Sequence, residues 1–137
     1  MSTRSLIAQQ AEDGSIRSIY CHFDGYPDHH APILIEHYTT PELVTALIDL
    51  GDLSSLAEKI GEYHDFDERP RTHDDWCMAY GRDRGEDGTE ANSYASEADW
   101  RVTFKESWAQ YFYLYCDQSW LIWQRDIGQW VALVVPA

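Results

Sequence analysis

The last part of the chain limits the possible folds more than any other segment. Residues 110–116, 120–125 and 129–135 are rich in aromatic and β-branched side chains, and polar links at 117–119 and 126–128 separate them. Links of about three residues are too short for a crossover connection, so consecutive strands must run antiparallel. The sequence therefore predicts a C-terminal three-stranded antiparallel meander.

The rest of the chain mixes strand and helix signals. Residues 5–10 and 16–22 read as strands, and the short polar link with Gly14 between them predicts a hairpin. Thr40 followed by Pro41 is a typical helix start, and Gly51 is a typical stop. Further segments are a short helix at 33–37, a small helix at 54–60, a strand at 76–80 and a helix at 96–110.

These elements predict one α+β domain over residues 1–137. A chain of 137 residues has the usual length of a single domain, and 44% hydrophobic residues suffice for a core. The simplest layered arrangement is an antiparallel or mixed sheet with helices packed on one face.

Charge narrows the classes of partner. The chain carries 24 acidic and 10 basic residues, a net charge of −14. Direct nucleic-acid binding and an anionic membrane surface are disfavoured, because both need many cations. A basic protein surface, or a small anionic ligand in a locally positive pocket, fits better. Eight of the ten bases are arginine, which suits bidentate contacts to phosphate, although ordinary surface composition explains the bias equally well.

The cysteines and the N-terminus indicate a cytoplasmic protein. Cys21, Cys77 and Cys116 lack the spacing of metal ligands and lie among apolar residues, which favours buried free thiols. We see no signal peptide and no membrane-spanning run. We therefore expect neither a metal nor a cofactor, and place the protein in the cytoplasm.

Arg82 and Arg84 are the leading candidates for a ligand clamp. In an extended segment they would point the same way and Asp83 the opposite way. Flanking Gly81 and Gly85 would let a phosphate or carboxylate approach the backbone. The alternative is that both arginines pair with nearby acids such as Glu86, Asp87 and Glu90.

A second candidate group follows the first hairpin. His22 and Asp24 share a side of an extended chain and could form an acid–base pair, while Tyr26 could stack on a ligand ring. Metal binding with His29, His30 and His37 is weaker, because adjacent histidines do not match a helical zinc pair. A structural turn is the main alternative.

A cluster of acidic residues lies in the middle of the chain. Asp65, Asp67, Glu68, Asp74 and Asp75 lack the pattern of a calcium loop and read as a solvated acidic loop that could imitate a phosphate backbone.

Aromatic side chains crowd the meander. Tyr111, Tyr113 and Tyr115 alternate with Phe112 and Leu114, so one face must be core. The other face is expected to be a homo-oligomer contact or a stacking platform.

Four motifs carry a family resemblance. They are TRS at 3–5, IYCHFDGYP at 19–27, LGDLSSL at 50–56 and YGRDRGE at 80–86. In this order they resemble a family of small uncharacterised proteins encoded by bacteriophages, prophages and plasmids. The segment at 28–32 departs from the family pattern. The resemblance implies a phage accessory protein made in the cytoplasm of a bacterial host, where its partner would be a host molecule, and it implies no particular activity.

These observations lead to three functional hypotheses. The first is a non-enzymatic counter-defence factor that sequesters a phosphorylated or nucleotide-like ligand, held by Arg82, Arg84 and Arg4, with His22, Asp24 and Tyr26 nearby. The second is an acidic inhibitor that imitates nucleic acid and blocks a host nuclease or restriction enzyme. The third is a small enzyme that uses His22 with Asp24.

Overall fold

The computed structural model describes residues 2–71 and 73–136. The strands are β1 Ser5–Gln10, β2 Ile16–Cys21, β3 Leu53–Ser55, β4 Met78–Ala79, β5 Asn92–Tyr94, β6 Tyr111–Cys116, β7 Ser119–Gln124 and β8 Gln129–Ala132. The helices are α1 Pro27–His37, α2 Pro41–Asp49, α3 Tyr80–Arg84 and α4 Glu97–Val102, and a 3₁₀ turn at Thr103–Lys105 follows α4.

All the strands join one mixed sheet. Its order is β4-β3-β2-β1-β6-β7-β8, and β5 pairs with β2 beside this path. The hairpin β1–β2 and the meander β6–β7–β8 are antiparallel, whereas β1 pairs with β6 and β2 pairs with β3 in parallel. The predicted α+β class and the C-terminal meander are confirmed.

The first turn of the meander fixes its tight geometry. Asp117 and Gln118 both adopt positive φ angles, 51° and 61°. Two consecutive left-handed residues make the turn whose twist matches a two-residue hairpin. The register Tyr115↔Trp120 and Tyr113↔Ile122 follows directly from this turn.

The sheet has a hydrophobic core on each face. Ile7, Ile19 and Tyr113 occupy one face together with buried residues of α1 and α2. The alternate residues, Ala8 and Phe112 among them, occupy the other face with Trp100 of α4. The two longer helices thus lie on one face, as expected, and α4 covers the second face.

One predicted helix, at 54–60, is wrong. Leu53 pairs in parallel with Cys21, and the amides of His22 and Phe23 donate to the carbonyls of Leu53 and Ser54 at 3.0 Å each. The segment is therefore strand β3 at its start, because long-range backbone pairing overrides a weak local pattern.

The predicted helix at 96–110 is shorter than expected. Ser96 caps its start, since its hydroxyl accepts from the Asp99 amide at 3.1 Å, but the helix ends at Val102. Trp100 is fully buried, whereas Trp108, which lies beyond the end of the helix but within the predicted range, is 78% exposed. None of the helices in the described part of the chain combines the length and apolarity needed to cross a bilayer.

Candidate ligand-binding site

The predicted extended clamp at residues 82–84 is wrong, because the segment is helix α3. The carboxylate of Asp83 starts this helix by accepting from the Ala79 amide at 2.9 Å, and it also accepts from the His64 amide at 3.2 Å. Residues two apart in a helix point about 200° apart. Arg82 and Arg84 therefore do not project side by side.

Arg82 is held by the protein's own groups. Its Nε donates to Asp83 Oδ1 at 2.8 Å, and its two terminal nitrogens donate to the carbonyls of Ile60 at 2.7 Å and Cys77 at 2.8 Å. Asp83, expected to point away, is its main partner, and the side chain of Asp83 is fully buried. Arg82 joins α3 to the neighbouring loop and leaves little donor capacity for a ligand.

Arg84 is more open but lies in mixed surroundings. Its guanidinium lies 5.2 Å from the ring centre of Phe66, and its Nε is 3.5 Å from Glu86 Oε2. A cavity of about 330 Å³ beside it is also lined by Asp65, Asp67 and Asp83. Asp65 and Asp67 are exposed acids, and Arg82 is already paired with Asp83, so this cavity is poorly suited to an anion.

His22 and Asp24 do not form the expected pair. His22 Nδ1 hydrogen-bonds the hydroxyl of Tyr20 at 2.7 Å, whereas Asp24 Oδ1 accepts from Tyr26 at 3.4 Å. Asp24 has a φ of 58°, so the chain turns there and the alternation of an extended strand is lost. The structure brings Asp24 together with Tyr26, both exposed, and His22 with Tyr20.

Of the two adjacent histidines, His30 is buried in the core and His29 is half-buried beside it. His30 is fully buried, and its Nε2 lies 3.1 Å from the hydroxyl of Ser5. Its Nδ1 lies 3.0 Å from Nδ1 of His29. Burial, together with the charge of His29, lowers the pKa of His30 to about 3. His30 is therefore a neutral structural group at physiological pH.

The acidic loop shows local order without a metal cluster. The Asp67 amide donates to Asp65 Oδ1 at 3.0 Å, and Asp75 pairs with Lys59 at 3.2 Å. Among the residues that the structure describes, no group of three or more His, Cys, Asp or Glu side chains is placed to hold a metal.

The aromatic strand β6 contributes to the core on both faces. Tyr113 and Tyr115 are buried on one side, and Phe112 and Leu114 are buried on the other. The expectation that one face of this strand is an open stacking platform is wrong, because α4 and the 3₁₀ turn cover it.

A cleft at the edge of this second face has the positive lining that a ligand site needs. Its volume is about 660 Å³, within the usual range for small-molecule pockets. Basic side chains from three elements line it, namely Arg101 of α4, Lys105 of the 3₁₀ turn and Arg125 after β7. The described residues that line it include no carboxylate.

The floor of the cleft is aromatic. Phe104 stacks on Phe112 with ring centres 3.7 Å apart and ring planes 14° apart. Trp123 meets Phe104 edge to face at 6.0 Å. The guanidinium of Arg101 lies 5.5 Å from the Trp123 ring and that of Arg125 lies 5.9 Å from Phe112. The cations therefore border a flat apolar surface.

The three cations are not equally free. Arg101 Nε donates to Glu97 Oε2 at 2.8 Å, and the same oxygen accepts from the indole of Trp130 at 2.9 Å. Lys105 and Arg125 are exposed and form no ion pair with any residue in the described ranges. These two side chains can turn toward a bound anion without breaking an existing bond.

Our sequence reasoning did not identify the cleft. Arg101 and Lys105 are four residues apart, a spacing that places them on one helix face, and that was the available signal. Arg125 joins them only because β6 and β7 pair and carry the end of β7 next to α4.

Arg4, the remaining candidate, lies at a different place on the surface. Its guanidinium lies 5.4 Å from the ring centre of Trp108. Arg4, Tyr20, Ser107 and Trp108 line a shallow cavity of about 520 Å³.

Comparison with known proteins adds no relative. No family model, no curated protein and no solved structure matches the chain.

Proposed function

We propose that this protein binds a small phosphorylated or nucleotide-like ligand in the cleft between α4, the 3₁₀ turn and β7. One observation carries the proposal. Three of the ten basic residues of a chain with net charge −14 line a single aromatic-floored cleft without a carboxylate.

Local charge supports an anionic ligand. A concave site with low-dielectric walls strengthens the field of the charges that line it, so the unpaired Lys105 and Arg125, next to the ion-paired Arg101, can attract an anion even to an acidic protein. Arg125 offers planar paired donors suited to phosphate, and Lys105 adds a mobile point charge.

The apolar floor supports a ligand with a flat ring. Phe104 and Trp123 are partly exposed and line the cavity, with Phe112 buried beneath Phe104, and aromatic side chains stack on nucleobases without base preference. A phosphate held by the cations and a ring on the floor would use both features at once.

The residues of the cleft favour binding over catalysis. Its described lining contains no His, Cys, Asp or Glu, which are the usual general acids, bases and nucleophiles. Ser107 is present, but its hydroxyl accepts from the Ala109 amide at 3.0 Å. In the phage setting that the resemblance implies, capture without turnover would withdraw a host nucleotide signal from a defence system.

A capture experiment tests the proposal. The protein is incubated with a bacterial nucleotide extract, washed and denatured, and released molecules are measured by mass spectrometry. We expect a phosphorylated compound from the native protein and at least about tenfold less from the double variant Lys105→Gln/Arg125→Gln.

The matched control is Arg84→Gln, which removes an exposed arginine outside the cleft. It should capture as much ligand as the native protein. Retained capture in the double variant, or loss in Arg84→Gln, would contradict the assignment of the cleft.

An acidic inhibitor is the second candidate, and one observation favours it. Exposed carboxylates follow each other along residues 62–90, namely Glu62, Asp65, Asp67, Asp74, Glu86, Asp87 and Glu90. Such a surface would steer a basic host protein toward it, with strong dependence on salt.

A pull-down at low and high salt separates the two candidates. Recovery of a basic nuclease or restriction enzyme that is lost at high salt and unchanged in Lys105→Gln/Arg125→Gln would favour the inhibitor. Neutralising Glu86 and Asp87 together should then weaken that recovery, while leaving ligand capture intact.

A further inference from the structure

Arg4 carries a donor that the fold leaves unused. Its backbone is fixed next to β1, because its carbonyl accepts from the Gln110 amide at 2.8 Å. Its side-chain Nε is buried and has no hydrogen-bond partner among the described residues. A buried donor without a partner is unfavourable, so a small turn of the Arg4 side chain that brings this nitrogen to a ligand oxygen would be stabilised.

Trp108 stands beside Arg4 and is unusually open. Its side chain is 78% exposed, although indole is among the side chains most stabilised by burial. The exposure is built in, since the neighbouring Ser107 hydroxyl accepts from the Ala109 amide at 3.0 Å and Gln110 is tied to Arg4. The Arg4 guanidinium lies against one part of the ring, and most of the indole remains free for another group.

Tyr20, which is hydrogen-bonded to His22, completes the polar side of this shallow cavity. The Tyr20 hydroxyl and His22 Nδ1 are 2.7 Å apart. Burial raises the pKa of Tyr20, and the charge of Arg4, which lines the same cavity, opposes this rise. A cation, a neutral hydroxyl and an exposed ring therefore meet in one place.

We infer that Arg4, Tyr20 and Trp108 form a second binding site, which holds the phosphate or carboxylate of a small aromatic ligand. Arg4 supplies the charge and the unused Nε–H, Tyr20 adds a hydroxyl, and the open part of Trp108 stacks on the ring. The cavity shares only Ser107 with the described lining of the cleft, so the site stands apart from the proposed function.

The site can be tested by NMR on the full chain labelled with ¹⁵N. The Nε–H signal of Arg4 and the indole N–H signal of Trp108 are assigned with Arg4→Lys and Trp108→Phe. Inorganic phosphate, acetate and phenyl phosphate are added in turn, and sodium chloride at equal ionic strength serves as the blank.

We expect both signals to shift and saturate with phenyl phosphate, about tenfold more tightly than with inorganic phosphate because of stacking on Trp108. Comparison of phosphate with acetate shows which anion the site prefers. Arg4→Lys should weaken binding about tenfold, because lysine lacks the planar paired donors. Trp108→Phe should reduce the advantage of phenyl phosphate and leave inorganic phosphate unchanged.

An Arg4 signal that phosphate, acetate and phenyl phosphate move no more than chloride would overturn the inference. The result is separable from the cleft, whose Arg125 signal is followed in the same spectra. A shift at Arg125 alone supports the cleft and refutes the Arg4 site, and a shift at Arg4 alone does the reverse. Loss of signal dispersion would show that Arg4→Lys is unfolded. In that case Trp108→Phe is the test, and an unchanged advantage of phenyl phosphate over inorganic phosphate in this variant would contradict the site.

Discussion

Helix α3 and the cleft beside α4 both present basic side chains, but they use them differently. In α3, Arg82 donates to its neighbour Asp83 and to two backbone carbonyls. In the cleft, Lys105 and Arg125 have no ion-pair partner among the described residues. The first arrangement stabilises the fold, and the second leaves charge available to a ligand.

The difference shows how sequence distance misleads in an acidic chain. Two arginines two positions apart looked like a clamp, yet the acid between them turned inward and paired with one of them. In the cleft, Arg125 joins Arg101 and Lys105 from a separate segment of the chain, and the lining contains no described carboxylate. The availability of a cation is thus set by its surroundings after folding.

The largest effect should come from breaking the Arg82–Asp83 pair. Arg82→Gln leaves a fully buried carboxylate without its charge partner, and such changes destabilise proteins by about 3–5 kcal/mol. We expect urea unfolding to show a loss of free energy of unfolding of this size.

Arg84→Gln is the matched control for this change. Its ion pair with Glu86 is exposed and long, so the free energy of unfolding should change by less than about 1 kcal/mol. Equal losses of free energy of unfolding in the two variants would show that the Arg82–Asp83 ion pair does not stabilise the fold.

Prediction from sequence succeeded where local signals determine structure. The links at 117–119 and 126–128 correctly predicted the meander, and Thr40 was correctly predicted to cap α2, its hydroxyl accepting from the Leu43 amide at 3.2 Å. Prediction failed where pairing between distant segments determines the secondary structure. Strand β3 is an example, because it forms by pairing of Leu53 with Cys21.

The sites follow the same rule. Arg82 and Arg84 were conspicuous in the sequence, but the helical state of α3 depends on the Asp83 carboxylate folding back onto the Ala79 amide. The role of Arg125 could not be predicted from the sequence, because Arg125 comes close to Arg101 and Lys105 only when β7 has joined the sheet.

The buried side chain of His30 should make the stability of the protein depend on pH. In the folded protein the pKa of His30 is lowered to about 3, whereas in the unfolded chain it should be about 6.5. The unfolded state therefore binds the proton first, and stability decreases as the pH falls below about 6.5. The expected loss between pH 8 and pH 5 is about 2 kcal/mol.

Urea unfolding of native protein and His30→Gln at both pH values measures this contribution. The variant should be less stable at pH 8, and its stability should fall less on acidification. Parallel pH dependence in the two proteins would show that His30 is accessible to protons in the fold.

The smallest effect on stability belongs to the cleft. Lys105 and Arg125 are exposed, and the contact of Arg125 with Phe112 at 5.9 Å is a weak one. Lys105→Gln/Arg125→Gln should change the free energy of unfolding by less than about 1 kcal/mol while abolishing ligand capture. A large loss of stability would mean that these cations also hold the fold together.

Chemical modification of arginine tests most directly whether the cleft, and not α3, is the surface that accepts anions. The native protein is treated with a dicarbonyl reagent, with and without the captured ligand or phenyl phosphate, and each arginine is followed by mass spectrometry. We predict slow modification of Arg82 throughout, and modification of Arg125 that the ligand slows while leaving Arg84 unaffected. Protection of Arg84 with none at Arg125 would contradict the account.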